Sequence, residues 1–339
     1  MMQLAIDKVI NYEDLTEDEM LEVMNTIMEG KATPSQIGGI LAGLRMKGET
    51  IEEILGAAKV MREKAAKIQT NSSYTVDTCG TGGDKRNTFN ISTASAFIAA
   101  AASVTIVKHG NRSVSSKCGS ADVLERLGVN IDLYPIAVKK CIDELQIGFI
   151  FAPNFHQTMK YAINPRRELG IRTIFNVLGP LTNPANPKGQ VLGVFNENLT
   201  SILANVLRKL GLKRAMVVYG MDGLDEITIT AKTKVSELKD NKIHEYYLDP
   251  NDYGISFAKI EEVEGGDPEE NAKILLNILK GEKGPKRDMV LLNAGAAMYV
   301  GNVVNSLGEG IDKSKEMIDK GLALEKLNQL IKLSQELRK

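Results

Sequence analysis

Cysteine is scarce in this chain. Cys79, Cys118 and Cys141 are its three, and none stands in a CxxC pair. That spacing leaves no even-numbered disulfide framework and no zinc-ribbon pattern, so a reduced, cytoplasmic setting is expected. Excess charge of either sign is also lacking, since 42 Lys and Arg against 43 Asp and Glu give a net charge of -1. A chain so balanced is not built to coat nucleic acid, although a local basic cleft stays open to it. Long apolar runs are missing too. The most apolar stretch, Ala94 to Ala102, is too short to cross a bilayer and reads as a small-residue helix packed on a sheet. Met1–Lys8 carries no leader pattern, and no repeat or low-complexity tract interrupts the chain. With 339 residues, 43% hydrophobic and 25% charged, the chain has the material for a large globular core and about two domains.

The first seventy residues read as helices. Thr16-Glu17-Asp18-Glu19, Thr33-Pro34-Ser35-Gln36 and Thr50-Ile51-Glu52-Glu53 are capping boxes. Each precedes an apolar stripe: Met20, Leu21, Met24, Ile27 and Met28; then Ile37, Ile40, Leu41 and Leu44; then Ile54, Leu55, Ala58 and Met61. Gly30 and Gly48 stop the first two. The pattern predicts a small helical domain over 1–70 with spare apolar surface for a second copy. From Tyr74 the chain alternates. Strands are expected at Tyr74–Thr78, Val104–Lys108, Ile147–Phe151, Val191–Phe195 and Ala215–Tyr219, with edge strands within Ala231–Gly254. Helices are expected at Ser92–Ala102, Ala121–Leu127, Ile136–Leu145, Leu199–Leu210, Pro268–Lys280 and Met289–Tyr299, with a long final helix ending at Leu337. This is an α/β domain over 71–339 with a mainly parallel central sheet, whose ligands bind beyond the carboxyl ends of the strands. Gly179–Pro187 reads as a loop and a hinge.

Four constellations carry chemistry. Gly80-Thr81-Gly82-Gly83-Asp84 follows a strand and is succeeded by Thr88 and by Asn90-Ile91-Ser92-Thr93 at a helix start. Glycines let backbone N–H groups approach a ligand, and a helix start adds unpaired donors, so the pair suits a phosphate or pyrophosphate. One of Asn90, Ser92 and Thr93 is expected to cap the helix. The P-loop pattern is absent. Lys108-His109-Gly110-Asn111-Arg112-Ser113-Val114-Ser115-Ser116, with Ser120 beyond, mixes cations, hydroxyls and glycine after a second strand, again apt for phosphate. Gly223-Leu224-Asp225-Glu226 offers adjacent carboxylates at a third strand end. Two readings stand there: an Mg²⁺ site, or a turn at Asp222-Gly223 with both acids solvated. Arg166 or its neighbour Arg167 offers a fork for a carboxylate, whereas Arg167 with Glu168 has the look of an ordinary surface pair.

Taken in order with Gly119–Glu125, Arg166–Asn176, Leu178–Pro184 and Asn293–Ala297, these motifs resemble the anthranilate phosphoribosyltransferase family over nearly the whole chain. Tyr219 and Asn164 depart from its pattern. The resemblance implies a small helical domain and a larger α/β domain of the nucleoside phosphorylase and phosphoribosyltransferase class. Segments around 165–185 would join the two, and the chain would form a homodimer. It implies the substrates anthranilate and phosphoribosyl pyrophosphate, with Mg²⁺ as cofactor and no membrane or nucleic-acid partner. By the same resemblance Gly80, Gly83, Asp84, Thr88, Asn90, Ile91, Ser92, Thr93, Lys108–Ser116 and Ser120 would hold the donor. Ser92, Asp225 and Glu226 would hold Mg²⁺. Gly80, His109, Asn111 and Arg166 would meet anthranilate. No residue is expected to serve as general base, because alignment of a modest amine nucleophile matters more than a strong base. Loss of pyrophosphate builds negative charge that Lys108, Mg²⁺ and backbone N–H groups would stabilise. Two other readings are a pyrimidine nucleoside phosphorylase, discriminated by thymidine phosphorolysis, and a nucleic-acid-binding paralogue, discriminated by a gel shift at low salt.

Overall fold

The structure is a computed structural model that describes residues 1–84, 86–113 and 117–338, so Val114, Ser115 and Ser116 of the expected donor loop lie outside the described residues. The helical region opens with α1 (Met2–Ile10), followed by α2 (Glu17–Met28), α3 (Pro34–Lys47) and α4 (Ile51–Lys64). The three threonine boxes form as expected: Thr16, Thr33 and Thr50 accept from the backbone N–H of Glu19, Gln36 and Glu53 at 3.2, 3.3 and 3.3 Å. Each such cap stabilises its helix by about 1 kcal/mol. Helix α1, which has no side-chain cap, is not among the expected elements.

The alternating part runs β1 (Val76–Gly80), α5 (Ile91–Ala101), β2 (Ile106–Gly110), α6 (Ser120–Arg126), α7 (Pro135–Leu145) and β3 (Ile147–Phe151). It continues with α8 (Ala152–Phe155), α9 (Lys160–Leu169), α10 (Phe175–Leu178), β4 (Gly189–Gly193), α11 (Leu199–Lys209) and β5 (Arg214–Gly220). The hairpin β6 (Thr233–Lys239) and β7 (Lys242–Leu248) supplies the expected edge strands. Helices α12 (Pro268–Leu279), α13 (Pro285–Val300), α14 (Leu307–Asp319) and α15 (Leu322–Glu336) close the chain. The expected long final helix is thus two helices. The chain reverses at Gly321, whose φ of 72° is left-handed.

Among the described residues seven strands form one sheet in the order β3-β2-β1-β4-β5-β6-β7. Pairing is parallel from β3 through β5 and antiparallel beyond. Strands β1 and β2 reach two residues further than the apolar pattern suggested. The ladder, rather than side-chain burial, carries them to their final glycines: Gly80 pairs with Gly193 and Gly110 with Phe151.

Two hydrophobic cores flank the sheet. One face packs Phe97, Ile106, Ile150, Met216, Leu292 and Leu327 together. On the other, the helical region's Met24, Leu44 and Ile54 share a core with Phe175, Leu178, Leu192, Leu203 and Val217. The apolar packing of residues 1–70 therefore continues without a break onto the sheet. Burying each such side chain contributes roughly 1.5–3 kcal/mol. The segment expected as a hinge loop begins as a short 3₁₀ turn, Gly179–Leu181, and Thr182 and Asn183 are fully buried. Asn183 Nδ2 donates to Asp77 Oδ2 at 2.8 Å and to the Val107 carbonyl at 2.7 Å, pinning the segment beneath β1 and β2. Among the described residues no helix is long and apolar enough to cross a membrane.

Candidate active site

Beyond Gly80 the chain turns through Gly82 and Gly83, with φ of 65° and 77°. The loop lies directly under the acidic segment that follows β5. The Gly82 N–H donates to Asp225 Oδ2 at 2.7 Å. A Cβ on Gly80 would stand 2.4 Å from that same oxygen, and one on Gly193 would stand 1.5 Å from the Asp225 carbonyl oxygen. Only glycine admits this approach at the ends of β1 and β4. Asp222 does make a turn, accepting from Leu224 N at 3.1 Å and Thr228 Oγ1 at 2.7 Å. Asp225, against the glycine loop, and Glu226, bonded by the Ser92 N–H, are however half-buried, which decides against the solvated reading.

Three carboxyls crowd here. Burial raises Asp84, Asp225 and Glu226 above the ordinary carboxylate range, Glu226 to about 7. The charges of Asp84 and Glu226 raise Asp225 further, and Asp84 shares a side-chain hydrogen bond with it. Lys108 opposes the rise at Glu226. A cluster with more acid than base fits a hard divalent cation. Among the described residues, though, no three of His, Cys, Asp and Glu converge at ligating positions. Such an incomplete set is what Mg²⁺ tolerates, because it keeps waters and substrate phosphates as ligands.

The start of α5 departs from the expectation of a cap. Asn90 occupies the N-cap position, but its side chain makes no capping bond. Nor do the side chains of Ser92 and Thr93 cap. Ser92 Oγ receives Lys108 Nζ at 3.1 Å, and its backbone N–H bonds Glu226. Lys108 is 3% exposed, and its ammonium also donates to the Thr78 carbonyl at 2.6 Å, so it braces the cradle from beneath. Thr93 is buried, its hydroxyl unpartnered, beside Phe97, Lys108 and Phe149 around a small interior cavity. Ile91 turns its side chain into the core, and its N–H bonds the Phe89 carbonyl at 2.8 Å. Thr88 forms an antiparallel bridge with Glu264.

Past β2, Asn111 is exposed, and its backbone carbonyl accepts from Ser120 Oγ at 3.4 Å. The Arg112 fork is already engaged, by Asp122 at 3.1 Å and by Glu125 at 2.8 and 3.1 Å. Asp122 also takes the N–H groups of Ser113 and Gly119 at 2.9 and 2.8 Å. Arg112 and Asp122 thus shape the loop.

A second cluster lies where β2 and β3 meet the 179–183 segment. The His109 ring bonds the Gly179 carbonyl and the His156 ring bonds that of Thr182. The two rings stand 5.2 Å apart, and both Nε2 atoms are buried without a hydrogen-bond partner among the described residues. Burial lowers His109 to about 3 and His156 to about 4, so both are neutral near pH 7. Arg166 on α9 is half-buried, its guanidinium 4.9 Å from the centroid of Phe175. Among the described residues it makes no ion pair with a carboxylate, nor any hydrogen bond to His109, Asn111 or Gly80. Arg167 and Glu168 are exposed, as expected.

Several residues here escaped sequence reasoning. His156 stands alone in its stretch of sequence. Arg172 donates to the Gly83 carbonyl while stacking 4.3 Å from the Phe195 centroid. It sat within a recognised motif but had no distinguishing neighbour. Buried Asp77 accepts from the His109 N–H at 3.2 Å and from Asn183. An acid inside an apolar strand was the one available signal for it.

A helical bundle joined to a parallel sheet whose strand ends gather glycines, a lysine and paired acids is the architecture of a glycosyl transferase. The chain matches the model of the glycosyl transferase family helical bundle domain over residues 3–65, and that of the glycosyl transferase family a/b domain over residues 72–324. It is 67% identical over 338 residues to the anthranilate phosphoribosyltransferase of Alkaliphilus metalliredigens, covering 100% of each chain. Identity to the enzyme of that name from Acetivibrio thermocellus is 61%, over 98% of this chain and 97% of the relative. Among solved structures, the anthranilate phosphoribosyltransferase of Thermus thermophilus superposes with a TM-score of 0.93 at 41% identity, covering 98% of this chain and 99% of that one. The Saccharomyces cerevisiae enzyme in complex with PRPP and Mg gives a TM-score of 0.90 at 27% identity, covering 99% and 98%. The chain belongs to the anthranilate phosphoribosyltransferase family, and it is an enzyme of the transferase class.

Proposed function

We propose that this chain moves the phosphoribosyl group of phosphoribosyl pyrophosphate onto the amine of anthranilate, releasing pyrophosphate, and that the two clusters divide the substrates between them. The observation that carries the reading is the contact of Gly82 N–H with Asp225 Oδ2, which joins the glycine loop to the acid pair. Gly80–Asp84, Thr88, Asn90, Ser92, Asn111 and Ser120 would line the donor pocket. Lys108, Ile91, Thr93 and Arg112 would act from behind it by fixing its shape and charge. Ser92, Asp225 and Glu226 would hold Mg²⁺, which when bound supplies positive charge against the leaving pyrophosphate. As the bond from C1 of the ribose to the pyrophosphate breaks, the backbone N–H groups and Lys108 favour the negative charge that develops.

Arg166, with no carboxylate partner of its own, suits the anthranilate carboxylate. The neutral rings of His109 and His156 present Nε2 as acceptors for the amine hydrogens, which orients the nucleophile without removing a proton beforehand. The unbroken core that joins residues 1–70, the 175–181 segment and the sheet holds the helical region beside the site. Leu4, Ile10, Tyr12 and Met46 are 55, 54, 64 and 68% exposed on the helical region and support a homodimer through that surface. Sedimentation at micromolar concentration tests the dimer: a species of one chain mass would refute it.

The reaction itself is tested by the loss of anthranilate fluorescence on adding phosphoribosyl pyrophosphate and Mg²⁺. Loss that needs both additions is expected. Stable fluorescence together with thymidine phosphorolysis would replace the reading with a phosphorylase.

A further inference from the structure

The donor-binding segment has a neighbour that no phosphate-like motif announces. Residues 264–271, which lead into and include the first turn of α12, run alongside Asn87–Asn90. Thr88 bridges Glu264, and the Gly265 N–H donates to the Asn87 carbonyl at 2.6 Å. A Cβ on Gly265 would stand 2.6 Å from Phe89 N and 2.7 Å from Phe89 Cα, so the two backbones touch. Asn271, in the first turn of α12, is 1% exposed. Its Oδ1 accepts from the Gly266 N–H at 2.8 Å, and its Nδ2 donates to Asn90 Oδ1 at 3.1 Å. Asn90 in turn donates through Nδ2 to the Cys118 carbonyl at 3.2 Å, and its Oδ1 also receives the Cys118 thiol at 3.3 Å.

These bonds explain why Asn90 leaves its helix uncapped. Both ends of its amide are engaged elsewhere. One reaches across to the loop that follows Asn111, and the other is held by a residue 181 positions later. An amide satisfied on both sides has one orientation, and removal of Asn271 leaves the Asn90 oxygen with only the weak thiol donor of Cys118. We propose that Asn271 is a positioning residue of the donor pocket: acting through Asn90, it fixes the Asn87–Ser92 segment against Cys118, just before α6. This rests on the donor-binding role proposed for Asn90 and Ser92. The C-terminal third of the chain then serves the reaction by holding together the two halves of the pyrophosphate grip.

Asn271→Asp separates this role from a merely structural one. The carboxylate keeps an acceptor for the Gly266 N–H but presents oxygen to Asn90 Oδ1. The measurement is KM for each substrate and kcat in a double-mutant cycle with Asn90→Ala, using the full chain with Mg²⁺ present. The expected result is a donor KM raised about tenfold with the anthranilate KM within about twofold, the size of one buried hydrogen bond. In the Asn90→Ala background, Asn271→Asp should then add less than about twofold. Equal factors in both backgrounds would show that Asn271 does not act through Asn90 and overturn the inference. An unchanged donor KM in Asn271→Asp, with a raised one in Asn90→Ala, would overturn it while leaving the donor reading intact. An unchanged donor KM in Asn90→Ala would remove the donor role of Asn90 and the inference with it. If Asn271→Asp fails to fold, as melting would reveal, Asn271→Ala enters the same cycle with the same expected outcomes.

Discussion

The two ends of the site are built on opposite plans. At the proposed donor end nearly every polar group is tied to another: Gly82 to Asp225, Gly83 to Arg172, Lys108 to Thr78 and Ser92, Asn90 to Cys118 and Asn271. At the proposed acceptor end the groups are left open among the described residues. Two imidazole Nε2 atoms lack partners, and Arg166 rests on an aromatic face. The difference follows from charge. Crowded carboxyls repel one another, so a cradle built around them holds its shape only if other bonds overdetermine it. A small planar acid needs a few unspent donors and acceptors in a dry pocket, and any internal partner would compete with it.

Four measurements press on this contrast. The largest effect belongs to the acids. Asp225→Asn combined with Glu226→Gln should lower kcat by about 100-fold or more and raise the Mg²⁺ concentration needed for half activity. Full turnover at low Mg²⁺ would dissolve the donor-end assignment.

Next is Arg166→Ala. It should raise the anthranilate KM by roughly 10- to 100-fold, the range of a charge-assisted hydrogen bond, and leave the donor KM alone. An unchanged anthranilate KM would mean that the open guanidinium serves another purpose.

The third measurement concerns acid stability. His156 falls from an ordinary value of 6.5 to about 4 in the folded chain, and His109 to about 3, chiefly through burial. Below pH 6.5 the unfolded chain binds protons that the folded one refuses, so stability decreases as pH falls. For His156 the loss is spread between pH 6.5 and about 4, at up to ~1.4 kcal/mol per pH unit, and it stops once the folded ring titrates. His156→Gln should flatten the denaturant midpoint across that window. An equally steep acid limb would show that the ring is not held neutral by burial.

The smallest effect is expected for Arg172→Ala, which frees the Gly83 carbonyl and the Phe195 face. A donor KM raised about fivefold, with anthranilate KM constant, is the size of one such contact. A change confined to anthranilate would transfer Arg172 to the acceptor end and blur the division.

Much of the fold could be read locally. Thr16, Thr33 and Thr50 cap the helices they precede, since a capping box is complete within four residues. The glycine loop, the α5 start and the acid pair announced themselves for the same reason. Asp77, Asn183, His156 and Asn271 did not. Each depends on a partner far along the chain, as the 181 positions between Asn90 and Asn271 illustrate. Local pattern also left direction open. Arg112 resembled a phosphate ligand, yet its fork closes on Glu125 and Asp122, and Lys108 points beneath the cradle.

By itself the sequence determined the three capped helices, the alternation of strands and helices with its mainly parallel sheet, and the family, because periodicity, caps and glycine-punctuated turns are short-range properties of a chain. The tertiary structure alone decided which polar atoms are spent and which, among the described residues, stay unpaired. That division depends on the ends of β1, β2, β4 and β5 lying side by side, and on residues 264–271 closing over Asn90. Hydrogen bonds are satisfied in space, and no local spacing encodes a partner nearly two hundred residues away.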